Sequence, residues 1–169
     1  MKIDYPKMYT KVYKNTALCQ LLRTLSAFCV IASVVSVILS LTLSFLGGGI
    51  LAAVRLGAVL LIPFILVSAA RRIVNLKRPC EVFDLDALGI DTRGFKRGKS
   101  FPSRHVFSGF LIATVLLPEI PALGILLLVL SLLLGVSRVA LGIHFVRDTV
   151  AGAILGVASA LLGLLIIGI

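Results

Sequence analysis

Two histidines and one aspartate have the residue types and spacing of a nucleophile, its supporting carboxylate and a general acid. His144 and Asp148 are four residues apart at the predicted start of a helix, so the carboxylate stacks on the imidazole. Asp148 can hold the Nδ1–H of His144 and leave Nε2 free as a nucleophile. His105 lies at another predicted helix start, where an imidazole beside a bound anion can act as a general acid. Each feature alone also has a structural explanation, a helix-capping pair or an interfacial histidine.

Arginine and serine residues near these positions predict an anion-binding site. Arg71 and Arg78 are seven residues apart, which is two helical turns, so both guanidinium groups can lie on one helix face. Ser103 precedes the predicted helix of His105, and a helix start offers free backbone N–H groups and a favourable dipole to an anion. Arginines at a membrane edge that bind headgroups are the alternative. The predicted substrate phosphate-binding residues are Arg71, Arg78, Ser103, Arg104 and Arg138.

The composition places these residues in a membrane protein. The chain has 169 residues, of which 59% are hydrophobic and 14% are charged, and that apolar fraction excludes a water-soluble domain of this size. The uncharged run 25–46 is long enough to cross a hydrocarbon core of roughly 30 Å. The predicted fold is therefore an all-α, polytopic transmembrane helix bundle of about five spanning helices plus an N-terminal interfacial segment.

Glycine and proline residues mark two of the four boundaries between five apolar runs, and polar loops form the other two. Three glycines, 47–49, separate the first two runs, and Pro118 and Pro121 flank Glu119 between the third and fourth. The N-terminal tail mixes tyrosines with lysines, which suits the headgroup layer, and a disordered basic tail is the alternative. The predicted spans are 25–46, 50–70, 106–117, 122–136 and 149–169, in one domain, 1–169, composed of a tail, 1–23, and a bundle, 24–169.

Five spans place almost all of the basic residues on one side of the membrane. Sixteen of the 17 lysines and arginines lie there, and the exception, Arg55, can extend its long side chain to the opposite interface. Because basic loops stay inside the cell, the active-site face is predicted to be cytoplasmic.

The candidate residues resemble the signature of the type 2 phosphatidic acid phosphatase family in order and in spacing. That signature is a basic residue, six residues and Arg-Pro; then Pro-Ser-Gly-His; then Ser-Arg, five residues, His, three residues and Asp. The corresponding residues here are Arg71 with Arg78-Pro79, Pro102-Ser103-Arg104-His105, and Ser137-Arg138 with His144 and Asp148. The resemblance covers residues 71–148.

The resemblance implies metal-independent hydrolysis of lipid phosphates without a cofactor. It implies that His144 attacks phosphorus to form a phosphohistidine, that Asp148 supports it, and that His105 protonates the leaving oxygen. The arginines and Ser103 would neutralise the phosphoryl oxygens. Candidate substrates are phosphatidylglycerophosphate, phosphatidic acid and polyprenyl phosphates or diphosphates.

The chain departs from the family pattern at two site residues and in its span count. Arg71 stands where lysine is usual, which keeps the charge but changes the hydrogen-bonding geometry. Arg104 stands where glycine is usual, and it could bind a second phosphate, contact an acidic headgroup or partly close the pocket. The family core usually has six spans, so five spans place the N-terminus and the active site on the same face.

Other functions and partners are compatible with parts of this pattern. The main alternative is a non-catalytic anion- or lipid-binding membrane protein or transporter, whereas vanadate-dependent oxidation would need a soluble scaffold. Asp84, Asp86 and Asp91 are irregularly spaced, so we expect a solvated turn and no metal site. The net charge of +10 is explained by anionic headgroups without nucleic acid. Gly152 and Gly156 favour close helix packing and could equally serve a homodimer.

Overall fold

The computed structural model describes residues 3–92 and 95–167, and these residues form helices and loops without a strand. Three helices, α2, α5 and α6, are long and apolar enough to cross a membrane, whereas α4 is apolar but shorter. The predicted all-α membrane-helix bundle is confirmed, and the count of five spans stays a prediction. The helices are α1 (Tyr5–Lys14), α2 (Thr16–Val74), α3 (Pro79–Val82), α4 (Arg104–Leu116), α5 (Pro121–Ala140) and α6 (Val146–Ile167).

Helix α2 is a hairpin of two helical segments that meet at Gly49. This residue has φ 70° and ψ −165°, a conformation that glycine adopts readily because it has no Cβ. Leu41 and Leu56, on opposite sides of the break, belong to the same hydrophobic cluster. The predicted glycine turn is therefore present, and the two segments correspond to the first two predicted runs.

Helices α4 and α6 approach each other closely along two glycines. A Cβ on Gly152 would lie 2.6 Å from the Ser103 carbonyl oxygen, and one on Gly156 would lie 2.5 Å from the Phe107 carbonyl oxygen. Both distances are too short for any larger residue without displacement of a backbone. Gly152 and Gly156 therefore serve close helix packing inside the bundle, which was one of the two roles predicted for them. The other role, a homodimer contact, stays a prediction.

The apolar outer surface of the bundle is suited to lipid. Large aliphatic side chains along α2 and α6 are exposed, among them Leu46 at 74% and Ile166 at 82%. Exposure of such a surface to water would be unfavourable, whereas in a bilayer the apolar lipid chains contact it. The chain is thus an integral membrane protein.

Helix α1 packs against the loop between α3 and α4. Tyr9 is fully buried in a cluster with Leu85 and Ile90 of that loop, and the Tyr5 ring meets the Phe145 ring edge to face at 5.3 Å. The Asp4 side chain caps α1 by accepting a hydrogen bond from the Lys7 backbone N–H at 3.1 Å. Residues 5–14 of the tail thus form a folded helix, and the alternative of a disordered tail is wrong for them. This helix lies at the end of the bundle where the polar loops are.

Candidate active site

A cationic cavity of about 650 Å³ opens at the end of the bundle where α2, α4 and α5 meet the polar loops. It brings together residues that lie far apart in the sequence. The predicted site residues that line it are Arg71, Arg78, Arg104, His105, Arg138 and His144. Asp148 and Ser103 are fully buried behind its wall.

Arg71 is buried at the end of α2 and is held by two backbone carbonyls. Its guanidinium group donates to the carbonyl oxygens of Lys99 and Pro102, which precede α4. These bonds attach α2 to the start of the helix that carries His105, and they orient the guanidinium group towards the cavity.

Arg78 reaches the same cavity from a loop. Helix α2 ends at Val74, and Asn75 has a left-handed backbone with φ 41°. The shared helix face predicted for Arg78 and Arg71 is therefore wrong, although both side chains line the cavity. The Arg78 guanidinium group donates to the carbonyl oxygens of Gly98 and Ile143, each at 3.0 Å.

His144 lies in the turn between α5 and α6 and is supported by a buried network. It precedes the first residue of α6, Val146, so the helical stacking predicted for His144 and Asp148 is replaced by a turn. His144 Nδ1 lies 3.6 Å from Asp148 Oδ2. Ser100 Oγ donates to the same Asp148 oxygen at 2.5 Å and lies 3.4 Å from His144 Nδ1. The carboxylate and hydroxyl thus face Nδ1, which directs the opposite ring nitrogen, Nε2, away from this network.

Burial of His144 keeps its imidazole neutral at physiological pH. Burial lowers the pKa of His144 from the usual 6.5, the hydrogen-bonding carboxylate of Asp148 opposes this shift, and the positive charge of Arg78 reinforces it. A neutral imidazole has the lone pair that a nucleophile requires. Nucleophilic competence at His144 is therefore retained at pH 7 and lost only as the pH falls below 6.5.

We expect the titration of His144 to have its midpoint below pH 6.5. The chain has two histidines, so a His105→Gln variant leaves His144 as the single histidine for NMR titration with labelled imidazole. In a second variant that also carries Asp148→Asn, the midpoint should fall further because the carboxylate that raises the pKa is gone. A midpoint at or above 6.5 in the first variant would contradict this account of the site.

Two predicted phosphate ligands have buried polar atoms without a described hydrogen-bond partner. Arg138 lines the cavity. Its Nε atom and the Oγ atom of Ser103 have no hydrogen-bond partner among the described residues. The Ser103 backbone N–H donates to the Asp148 carbonyl oxygen at 2.8 Å, and the Ser103 side chain does not cap α4. Buried polar groups normally find a partner, and an anion in the cavity would supply one for Arg138.

A second cavity, of about 620 Å³, continues from the first into the bundle. It is an apolar groove between the two segments of α2 and the side of α4, with Leu41, Leu60 and Ile112 in its wall. Arg104 and His105 are the described residues that line both cavities. A molecule with an anionic head and an apolar chain can therefore occupy both cavities at once.

Several residues of the site were not singled out by the sequence. Ser100 carries the hydrogen bond to Asp148, and no spacing rule relates residues that are 48 positions apart. Tyr13 and Arg23 bring the N-terminal region into the cavity wall, and the Tyr13 hydroxyl donates to the Leu141 carbonyl oxygen at 3.1 Å. The spacing of four residues between the tyrosines of α1, which places them on one helix face, was the available signal.

The acidic residues of the loop before α4 stabilise local turns. Asp84 accepts a hydrogen bond from the Ala87 backbone N–H at 3.1 Å, and Asp86 accepts bonds from both the backbone and the hydroxyl of Thr92. Within the described residues, no three histidine, cysteine, aspartate or glutamate side chains are grouped as metal ligands.

Comparison with known proteins gives one family and two structures of similar fold. The model of the PAP2 superfamily matches residues 52–168. The bacitracin transport permease protein BcrC of Bacillus licheniformis is 44% identical over 62 residues, which are 37% of this chain and span 30% of that relative. The crystal structure of Aquifex aeolicus LpxE covers 89% of this chain and 94% of its own, with 23% identity and a TM-score of 0.58. A PAP2-type phosphatidylglycerolphosphate phosphatase from Bacillus subtilis covers 97% of this chain and 84% of its own, with 17% identity and a TM-score of 0.64.

Proposed function

The chain belongs to the PAP2 superfamily, and from this membership and the geometry of the site we propose that it is a metal-independent lipid phosphate phosphatase. The substrate class is a phosphomonoester or diphosphate lipid, such as phosphatidylglycerophosphate, phosphatidic acid or a polyprenyl diphosphate. The observation that carries the proposal is the position of His144: it lies in a cationic cavity that continues, past Arg104 and His105, into an apolar groove.

In the first step of the proposed reaction, His144 Nε2 attacks phosphorus. A new N–P bond forms as the P–O bond to the lipid breaks, and the electron pair of that bond stays on the leaving oxygen. His105 gives a proton to this oxygen. Burial and the charge of Arg138 lower the pKa of His105 to about 3, and the negative charge of a bound phosphate opposes this shift and favours the protonated imidazole. Asp148, with Ser100 at 2.5 Å from its carboxylate, stabilises the charged imidazole ring of the intermediate.

In the second step, water hydrolyses the phosphohistidine. The water oxygen bonds to phosphorus, the N–P bond breaks with its electron pair returning to His144, and His105 accepts the released proton. Inorganic phosphate leaves, and both histidines are restored. Arg71, Arg78 and Arg138 stabilise the negative charge that develops on the phosphoryl oxygens in both steps.

The active site of this proposal faces the cytoplasm. Tyr13 of α1 lines the cavity, so the basic N-terminal helix and the site lie at the same end of the bundle. Excess lysine and arginine favour the cytoplasmic side of a membrane.

The proposal is tested by phosphate release from purified full-length protein in detergent with a chelator of divalent cations. We expect release from at least one lipid in a panel of phosphatidic acid, phosphatidylglycerophosphate, and prenyl phosphates and diphosphates. Release that requires an added metal would contradict the metal-independent mechanism. No release by folded protein that still binds inorganic phosphate would favour the non-catalytic anion-binding function.

A further inference from the structure

The two cavities meet at a residue that differs from the family pattern. Arg104, which replaces the usual glycine, lines the cationic cavity and the apolar groove. A lipid whose chain lies in the groove and whose terminal phosphate lies near His144 must therefore pass Arg104. The part of the substrate beside Arg104 is the group that connects the terminal phosphate to the chain.

The guanidinium group of Arg104 is held at the mouth of the groove by an aromatic ring. Its central carbon lies 5.6 Å from the centroid of the Phe64 ring on α2, within the range of a cation–π contact. A guanidinium group stacked on a ring keeps its planar N–H fork available to an anion. Ser108 donates to the Arg104 backbone carbonyl at 3.0 Å. Arg104 therefore places a positive charge at the junction of the two cavities.

The other arginines of the site have positions that suit the terminal phosphate. Arg71 and Arg78 are anchored by backbone carbonyls, and Arg138 lines the same cavity. The charge of Arg104 is near enough to interact with Arg71 and Arg78. Six basic side chains line this cavity, more than one phosphate dianion needs, and among the described residues Arg104 is the one of them that also lines the groove. Its charge therefore suits a second anionic group on the side of the chain.

The leaving group of the reaction lies at this junction. Because displacement at phosphorus is roughly in line, the leaving oxygen lies on the side of phosphorus away from His144. His105, which protonates that oxygen in the proposed mechanism, lines the junction together with Arg104. In a phosphomonoester the leaving group is an uncharged alcohol, whereas in a diphosphate it begins with a second, negatively charged phosphate.

We propose that Arg104 binds the chain-proximal phosphate of a lipid diphosphate and makes this enzyme selective for diphosphate over monophosphate lipids. The inference rests on the proposed function and narrows its substrate class. In the reaction, the bond between the terminal phosphorus and the bridging oxygen breaks and His144 takes the terminal phosphoryl group. The electron pair stays with the bridging oxygen, and the product is a lipid monophosphate whose charge Arg104 stabilises.

The test measures kcat/KM of the full-length protein for farnesyl diphosphate and for farnesyl phosphate, which share one chain. In Arg104→Gln and Arg104→Gly we expect the ratio of diphosphate to monophosphate kcat/KM to fall about 10- to 100-fold, the loss expected for a charge-assisted hydrogen bond. Arg104→Lys keeps the charge and should retain most of the ratio. Two variants are needed because glycine at the first residue of α4 can also destabilise the helix.

Two other arginines provide matched controls. Arg23 lines the same cavity but does not line the groove, so Arg23→Gln should lower kcat/KM for both substrates by a similar factor. Arg55 is exposed on α2 and lines neither cavity, so Arg55→Gln should leave both values unchanged.

Each remaining outcome decides against the inference in a distinct way. Equal losses on both substrates in Arg104→Gln would make Arg104 a general phosphate ligand, and no loss on either would remove it from the binding site. Both results would overturn the selectivity while leaving the phosphatase function in place. A wild-type protein that hydrolyses neither substrate nor any lipid of the wider panel would instead overturn the proposed function.

Discussion

Replacement of His144 by alanine is expected to lower kcat by about 10⁴-fold or more, the loss seen when a covalent nucleophile is removed from a catalytic unit. In the proposed mechanism no phosphoenzyme can form without this imidazole. His144 is only 2% exposed, and the loss of a buried ring can also leave a small cavity. The measurement is single-turnover phosphate release from a radiolabelled lipid phosphate in detergent.

Two controls separate lost chemistry from lost folding in the His144→Ala variant. The variant should still bind inorganic phosphate, because Arg71, Arg78 and Arg138 are unchanged, and this binding is measured as a shift in melting temperature. Wild type quenched during turnover should retain label that is stable to alkali and labile to acid, as expected for phosphohistidine, and the variant should not. Residual activity above about one-hundredth of wild type would contradict the nucleophilic role, since general acid–base residues alone account for losses of that order.

Replacement of His105 by glutamine is expected to lower kcat/KM for an alkyl phosphate by about 10²- to 10⁴-fold, the usual contribution of a general acid. His105 lies where the cationic cavity meets the groove, which in the proposed mechanism is the position of the leaving oxygen. Its proton is needed most when the leaving group is a poorly acidic alcohol. The loss should therefore be much smaller for p-nitrophenyl phosphate, whose leaving group is stable as an anion.

The dependence on the leaving group distinguishes an acid from a residue that only binds phosphate. A phosphate ligand contributes similarly to every substrate, so equal losses for alkyl and p-nitrophenyl phosphates would contradict the role of His105. The Ser108→Ala variant is a suitable control, because Ser108 is one turn further along α4 and its hydroxyl bonds to the Arg104 carbonyl. The decrease in kcat/KM of this variant should be small for both substrates.

The sequence alone predicted a lipid environment, an all-helical fold and six of the residues that line the cavity. Apolar runs of bilayer length require helices, because backbone groups in lipid must be hydrogen-bonded within their own segment. The glycines at 47–49 predicted a break that the structure has at Gly49. Six of the eight predicted site residues line one cavity, and Asp148 and Ser103 lie buried behind it. The helix class and the glycine break were confirmed because hydrophobic length and residue type act over short stretches of chain, whereas the roles of the site residues stay predictions.

Local spacing failed where the chain leaves the helices. Arg78 and His144 were predicted from helical periodicity, yet Arg78 follows the end of α2 and His144 precedes α6. Their positions are set instead by hydrogen bonds to distant backbone, such as that from Arg78 to the Ile143 carbonyl.

Only the tertiary structure showed how distant segments complete the site. Ser100 reaches Asp148 across 48 residues, and the Tyr13 hydroxyl reaches the Leu141 carbonyl across 128. The direction of Arg104, towards Phe64 and the groove mouth, likewise depends on the packing of α2 against α4. No periodic pattern relates such residues, because their contacts arise from helix packing and loop closure. The sequence thus determined which groups could perform the chemistry, and the folded structure determined which of them meet, and where the apolar chain of a substrate can lie.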